Sequence, residues 1–228
     1  MAPERIFVAP NTLDTGTLRV LHEELEREGR QAVRRRLGLE PGVPVIVFLG
    51  RLIKAKGTDQ LLQVFGMLRK RHPQATLVVI GDGPERAAVR AGAGKLGGIV
   101  MLGALTSLHA SAPYLYAADV LLNPGYVGLS INHAFALGLP VVSQQSPDPR
   151  IRYHSPEIAY LEPGRNGLLT PFGNTFCMVD AVEQILANRA WYASNASAYA
   201  RSHLGLDTMI DGIVQAVNHV EGRAAGDL

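Results

Sequence analysis

Residues 123–142 combine the features of a ligand site in an α/β protein with a shortage of side chains that could do chemistry. The segment reads NPGYVGLSINHAFALGLPVV, which predicts the end of a strand, a glycine-containing turn, a short helix and a new strand. It contains no acid, its only basic side chain is His133, and its only candidate nucleophile is Ser130. A ligand at this turn would therefore depend largely on backbone groups.

Three predicted loops share one arrangement, in which a strand ends at a residue that permits a tight turn and a helix follows. Their sequences are FLGRLIKAKG, VIGDGPER and NPGYVGLS. The start of such a helix presents free N–H groups and the positive end of the helix dipole, which suits an anion. Arg51 and Lys56 add two cations to the first loop. Together the loops predict a site for a ligand that carries a diphosphate, although Lys56 could instead be a solvated surface lysine.

Short β-branched runs alternate with helical patterns, which is typical of an α/β protein with a doubly wound parallel sheet. The sequence predicts strands at residues 5–10, 41–50, 75–83, 97–103, 119–125 and 139–144, and two short strands within residues 155–171. One long charged helix over residues 17–38 is expected to end at Gly38. Further helices are predicted over residues 58–72, 84–96, 108–118, 129–138, 175–204 and 206–220. In such a sheet, right-handed crossovers put ligands at the carboxyl ends of the strands.

The composition favours a globular protein without a general nucleic-acid-binding surface. The chain has 228 residues, 47% of them hydrophobic, and a formal net charge of +2. A nucleic-acid binder would need a concentrated basic face, whereas the basic cluster Arg34–Arg36 is interpreted as the solvated end of a helix. The single cysteine, Cys177, excludes an internal disulfide, and no run suits a signal peptide or a membrane span. These two features predict a cytoplasmic protein. No histidine spacing suggests a metal site, so we expect no bound metal.

Five motifs in a fixed order give the chain a family resemblance. GRLIKAKG, GDGPE, ADVLLNPG, GLSINHAFALGLPVV and PEIAYLEPGRNGLL together resemble the C-terminal half of GT-B glycosyltransferases, and are most similar to the retaining glycosyltransferase family 4, the glycosyl transferases group 1. In that family this half is a Rossmann-like domain that binds a nucleotide-activated sugar, and a separate N-terminal half binds the acceptor. The resemblance implies one nucleotide-sugar-binding domain over residues 1–228. It divides into an interdomain crossover at 1–40, a Rossmann-like core at 41–190 and C-terminal helices at 191–228, and we expect no acceptor domain to precede it.

The resemblance assigns catalytic roles to Arg51 and Lys56, which would hold the donor diphosphate and stabilise the nucleoside diphosphate as it leaves. The family also has two glutamates separated by seven residues, and their positions here are Gly125 and His133. His133 would replace the glutamate that contacts the ribose hydroxyls, because a ring nitrogen can donate or accept. Gly125 would offer the donor sugar only backbone groups and empty space.

The remaining candidates follow from the same motifs. The predicted donor-binding residues are Gly50, Gly81, Gly103, Pro124, Gly125, Gly128, Leu129, Ser130, His133 and Glu157. For Glu157, which lies where the family has a site-lining carboxylate, contact with the ligand and a structural role both stay open. Asp82 is interpreted as a turn-forming residue, His154 as either a neighbour of the site or an exposed side chain, and Trp191 as a packing residue between helices.

The resemblance implies retaining transfer of a sugar, from a UDP- or GDP-linked hexose donor, to a glycan or lipid-linked acceptor. No protein nucleophile is needed if the leaving diphosphate assists deprotonation of the acceptor. The chain alone is expected to be inactive without an acceptor domain or subunit, through which it could lie at the inner face of the membrane. Two alternatives remain: a sugar-nucleotide epimerase of the same architecture, and a non-catalytic sugar-nucleotide-binding subunit.

Overall fold

A computed structural model describes residues 6–151 and 153–221, which form a six-stranded sheet flanked by helices. Its strands are β1 (Val45–Leu49), β2 (Thr76–Ile80), β3 (Ile99–Gly103), β4 (Val120–Leu122), β5 (Val141–Gln144) and β6 (Gly167–Thr170). All neighbours pair in parallel, in the order β3-β2-β1-β4-β5-β6. The order reverses between β1 and β4, which is the switch point of a doubly wound fold and the usual place for a ligand. The predicted fold class is confirmed.

Nine α-helices lie within the described residues. They are α1 (Thr15–Glu28), α2 (Arg30–Arg36), α3 (Thr58–Arg71), α4 (Arg86–Leu96), α5 (Leu108–Ala117), α6 (Ser130–Ala136), α7 (Thr175–Ala187), α8 (Arg189–His203) and α9 (Leu206–Glu221). Short 3-10 helices occupy Lys54–Lys56 and Pro156–Tyr160.

The core consists of two apolar layers, one on each face of the sheet. Along β1, Val45 and Val47 belong to one layer, whereas Ile46 and Phe48 belong to the other. This alternation follows from the two-residue period of a strand. Because both faces are covered, β1 reads as a continuous apolar run in the sequence, as a buried parallel strand should.

Two predictions near the start of the chain are wrong. Residues 6–10 of the predicted strand 5–10 join no sheet, and residue 5 lies outside the described residues. Ile6 and Val8, which suggested the strand, are 58% and 73% exposed. The predicted helix over 17–38 is two helices, because Gly29 (φ 85°, ψ 134°) is not helical; it ends α1 and precedes α2.

Two further predictions fail for local reasons. Of the two strands predicted within 155–171, only β6 forms. The first is a 3-10 helix that starts at Pro156, a residue with no N–H for a ladder. Trp191, expected to pack between helices, is 61% exposed. The buried face of α8 instead carries Tyr192, Ala196 and Ala200 at a spacing of four residues.

A buried ionic network closes the amino-terminal edge of the sheet. Asp119 accepts hydrogen bonds from Arg30 (2.6 Å), Arg34 (2.8 Å) and the Val45 N–H (2.7 Å). Burial opposes ionisation of Asp119, but Arg30 and Arg34 outweigh it and keep the pKa of the carboxyl below its usual value. Arg189 lies 3.5 Å from the same carboxylate. Arg34 is only 2% exposed, so the interpretation of Arg34–Arg36 as a solvated cluster is wrong for its first member.

The last helix leaves an apolar surface open. Ile210, Ile213, Val217 and Val220 of α9 are each about half exposed or more. Ile213, Val217 and Val220, together with Phe7, border a groove of about 440 Å³ between α9 and the N-terminal segment. None of the described helices is long and apolar enough to cross a membrane.

Candidate functional site

Three loops at the carboxyl edge of the sheet pack against one another backbone to backbone. A Cβ atom at Gly81 would overlap the Gly50 carbonyl oxygen, and a Cβ at Gly125 would overlap the Ala55 carbonyl and the Lys56 backbone. A Cβ at Gly57 would lie 3.0 Å from the Gly125 nitrogen. The loop after β1 is therefore enclosed between the loops after β2 and β4, and these glycines are required by the close approach of the chains.

The expectation of empty space at Gly125 is wrong. The space that a side chain would occupy holds the Ala55–Lys56 backbone, and the Tyr126 N–H donates to the Ala55 carbonyl at 2.7 Å. A glutamate at this position would clash with that backbone.

Lys56 lies at the centre of the assembled loops. Its Nζ donates to the Tyr126 carbonyl at 2.6 Å and lies 4.7 Å from the centroid of the Tyr126 ring. The same atom is 3.9 Å from the Cβ position of Gly128. Burial lowers the pKa of Lys56, and the nearby Glu157 carboxylate opposes that shift. The ammonium uses one hydrogen for Tyr126 and is held beside the turn that starts α6.

That turn presents unpaired donors. Within the described chain, the N–H groups of Gly128, Leu129 and Ser130 donate to no protein atom, and α6 has no side-chain cap. Ser130 Oγ is 3.5 Å from the amide nitrogen of Asn123. A lysine ammonium beside three free N–H groups can bind an anion such as a phosphate.

Three other predicted residues, Arg51, Asp82 and Gly103, lie at the same edge of the sheet. Arg51 is exposed and forms no ion pair or side-chain hydrogen bond with any described residue. Gly103 ends β3 and accepts from the Gly81 N–H at 2.8 Å. Asp82 accepts from the Gly83 N–H at 2.8 Å and from Arg86 at 2.9 Å, which confirms its role in forming the turn.

Glu157 is buried next to Lys56 and is tied to the N-terminal segment. It is 3% exposed, and its Oε1 accepts from the Asn11 side chain at 2.5 Å. The Asn11 carbonyl accepts in turn from Asn132 and Tyr160, each at 3.0 Å. Glu157 Oε2 is buried without a hydrogen-bond partner among the described atoms, so one oxygen has a structural role and the other is free.

His133 lies in the middle of α6 and is largely buried. Its Nδ1 has no hydrogen-bond partner in the described chain, and burial lowers the pKa of the ring. A neutral imidazole with an unpaired nitrogen can accept a hydrogen bond from a hydroxyl group.

Sequence reasoning missed several contacts of the site. Tyr126 was not singled out, although its carbonyl and ring both contact Lys56. Asn11 and Ser155 were missed as well, since their roles depend on residues far away in the sequence. His154 was predicted to be either a neighbour of the site or an exposed side chain, and it is buried, at 8% exposure. Its Nδ1 accepts from the Val127 N–H, and its Nε2 is hydrogen-bonded to the Gln144 carbonyl.

No group of three or more His, Cys, Asp or Glu residues in the described ranges could hold a metal ion. Two apolar grooves among the described residues include none of the loop residues named above. One is the α9 groove, and the other, of about 520 Å³, lies between α3, α4 and α7 and includes Leu62, Met67 and Phe176.

Comparison with known proteins identifies the family to which the chain belongs. Residues 43–188 match the family described as Glycosyl transferases group 1. Lipopolysaccharide core biosynthesis glycosyltransferase LpsE of Rhizobium meliloti is 28% identical over 160 residues, which are 69% of this chain and 44% of that protein. A GDP-mannose-dependent alpha-mannosyltransferase of Mycobacterium tuberculosis is 31% identical over 182 residues, 77% of this chain and 42% of that protein.

A solved structure matches nearly the whole chain. The crystal structure of Anabaena HepE in complex with UDP superposes with a TM-score of 0.74 and 21% identity, and covers 93% of this chain and 57% of that one. The chain spans less than half the length of the two sequence relatives. Its fold is that of the Rossmann-like half of a GT-B glycosyltransferase, and it belongs to the Glycosyl transferases group 1 family.

Proposed function

We propose that the chain binds the diphosphate of a nucleotide-sugar and acts as the donor-binding part of a retaining glycosyltransferase. The observation that carries this proposal is the position of Lys56, whose ammonium lies 3.9 Å from the Cβ position of Gly128, where the run of free N–H groups of Gly128, Leu129 and Ser130 begins. Arg51 supplies a second cation from the same loop. Similarity to a GDP-mannose-dependent enzyme and to a structure bound to UDP supports a uridine or guanosine nucleotide.

The other predicted contacts extend from the diphosphate. His133 accepts a hydrogen bond from a ribose hydroxyl through its unpaired Nδ1. Glu157 Oε2 accepts a hydrogen bond from a hydroxyl of the donor. The loop that contains Gly103, at the end of β3, lies beside the base. The predicted divisions at 1–40, 41–190 and 191–228 would serve as crossover, donor-binding core and C-terminal helices, and their residues 1–5, 152 and 222–228 lie outside the described residues.

The chemistry needs charge stabilisation from this chain rather than a nucleophile. The bond between the anomeric carbon and the diphosphate breaks, and the acceptor oxygen bonds to that carbon on the same face. The acceptor proton passes to the leaving diphosphate. Lys56 and Arg51 stabilise the negative charge that develops on the diphosphate.

Calorimetric titration with UDP and GDP tests the diphosphate site. Lys56→Ala should weaken binding by about 1.5–3 kcal/mol, the range for hydrogen bonds to charged groups. Lys54→Ala, a change at an exposed lysine of the same 3-10 helix, is the matched control and should leave the affinity unchanged. Equal affinities in the wild type and the Lys56 variant would refute the assignment.

Sugar transfer should require a second domain or subunit. The acceptor hydroxyl must be held beside the anomeric carbon, and much of the rate comes from that positioning. We expect the 228-residue chain to bind nucleotide with a micromolar to millimolar Kd but to transfer no sugar to glycan or lipid acceptors by itself. Turnover by the chain alone would show that it carries its own acceptor site.

A further inference from the structure

His154 joins the loop after β4 to the end of β5. Its Nδ1 is 3.1 Å from the Val127 nitrogen, and its Nε2 is 2.9 Å from the Gln144 carbonyl oxygen. The backbone N–H can only donate and the carbonyl can only accept, so the ring must be neutral, with its hydrogen on Nε2. At 8% exposure, the ring has little access to water that could replace either bond.

The next residue completes the attachment. Ser155 Oγ donates to the Val127 carbonyl at 2.7 Å, and the Ser155 N–H donates to the same oxygen at 3.2 Å. Both backbone groups of Val127 are thus bound by the pair His154–Ser155. Val127 stands between the Tyr126 carbonyl, which holds Lys56, and Gly128, which starts the run of free N–H groups.

We propose that His154 is a positioning residue of the donor site: it fixes the 126–128 turn so that the Tyr126 carbonyl holds the Lys56 ammonium beside the free N–H groups. This inference rests on the proposed function. His154 does not touch the ligand; it acts through Val127 and Tyr126.

The surroundings of the ring favour the neutral form that this role requires. Burial lowers the pKa of His154, the hydrogen bond to Gln144 opposes the shift, and the charge of Lys56 lowers the pKa further. Tyr153 packs edge-on against the ring, with centroids 4.6 Å apart. Protonation would remove the acceptor of the Val127 N–H and place a second cation near Lys56.

Two substitutions separate positioning from packing. His154→Gln keeps one acceptor and one donor for Val127 and Gln144, whereas His154→Leu fills the space and provides neither. We expect the leucine variant to bind UDP or GDP about tenfold more weakly, the scale of one unpaired buried group, and the glutamine variant to stay within about threefold of the wild type. Equal losses in both variants would overturn the proposal.

A double-mutant cycle with Lys56→Ala tests the route of the effect. If His154 acts through Lys56, the leucine substitution should cost little further affinity once Lys56 is gone. Additive losses would contradict the proposed route.

A measurement on the free chain keeps this inference apart from the proposed function. NMR titration of the Lys56 side chain should give a pKa below the ordinary lysine value in the wild type and in His154→Gln, and a pKa closer to the ordinary value in His154→Leu. An unchanged Lys56 titration in the leucine variant overturns the positioning role. Absence of nucleotide binding by the wild-type chain would instead overturn the proposed function, whatever the titration shows.

Discussion

The two edges of the sheet differ in how far their buried polar groups are paired. At the amino edge, the Asp119 carboxylate is bound by Arg30, Arg34 and the Val45 N–H, and the carbonyls at the end of α5 accept further bonds from the arginines. One buried atom at this edge, Arg189 Nε, lacks a hydrogen-bond partner among the described atoms, but it lies 3.5 Å from the Asp119 carboxylate. At the carboxyl edge, His133 Nδ1 and Glu157 Oε2 have no partner among the described residues. Buried polar groups are nearly always paired, and an exception calls for an explanation.

The difference separates a structural site from a candidate binding site, although both are rich in cations. The arginines of the amino edge are bound to the protein itself. At the carboxyl edge, Lys56 has spare hydrogens and the turn at Gly128 has free N–H groups. A count of positive charges alone would not tell the two edges apart.

The largest expected effect is on the amino edge. Asp119→Ala should lower the free energy of unfolding by about 3–5 kcal/mol, because it leaves buried arginines without their carboxylate. Urea unfolding followed by circular dichroism measures the change. The control is Asp180→Ala, which removes an exposed pair with Arg71 and should cost less than about 1 kcal/mol. Similar losses in the two variants would contradict the structural role of Asp119.

A second substitution tests the contact between the loops. Gly125→Ala should lower the free energy of unfolding by about 1–3 kcal/mol, since its Cβ would overlap the Ala55–Lys56 backbone. Gly94→Ala is the matched control, because that helical glycine has open space around its Cβ position, and we expect it to stabilise the fold by about 1 kcal/mol. An unchanged free energy of unfolding in Gly125→Ala would show that the loops are not in close contact.

The stability of the carboxyl edge should depend on pH. Burial lowers the pKa of His154 in the folded chain, so the unfolded chain takes up the proton first as the pH falls. Stability should be constant above the unfolded pKa near 6.5 and decrease as the pH falls from there through the folded pKa, by at most about 1.4 kcal/mol per pH unit for one histidine. Urea unfolding between pH 5 and 7.5 should give a shallower decrease in His154→Gln. An unchanged slope would show that His154 does not titrate as the buried ring requires.

The smallest expected effect is at His133. His133→Ala should weaken nucleotide binding by about 1 kcal/mol, the net value of one hydrogen bond to the ribose. His109→Ala, at an exposed histidine of α5, serves as the control in the same calorimetric titration. A titration with the 2′,3′-dideoxy nucleotide tests whether the contact is to the ribose hydroxyls. Because this ligand lacks them, the His133 substitution should not change its affinity. An equal loss with both ligands would place His133 away from the ribose.

The sheet could be predicted from the sequence because its signals are local. Strands such as β1 and β2 are continuous apolar runs, and the glycines after them mark the loops. The helix break at Gly29 was missed because helical patterns flank it on both sides. The 3-10 helix at Pro156 was missed although a proline has no N–H for a strand ladder.

The composition of the site was predictable in part. Lys56 and the turn at Gly128 were found from the motifs, and both lie in the same cluster. Two features could not be found, because each depends on chain segments far apart in the sequence. Gly125 packs against a backbone about 70 residues earlier, and His154 binds Val127 27 residues before it.

The most direct test of the comparison is a crystal structure of the chain with bound UDP or GDP. We predict that the diphosphate lies within hydrogen-bonding distance of Lys56 Nζ and of at least two of the N–H groups of Gly128, Leu129 and Ser130, with the amino edge unchanged. A diphosphate bound instead to Arg30 or Arg189, or bound away from Lys56, would contradict the assignment of the carboxyl edge as the donor site.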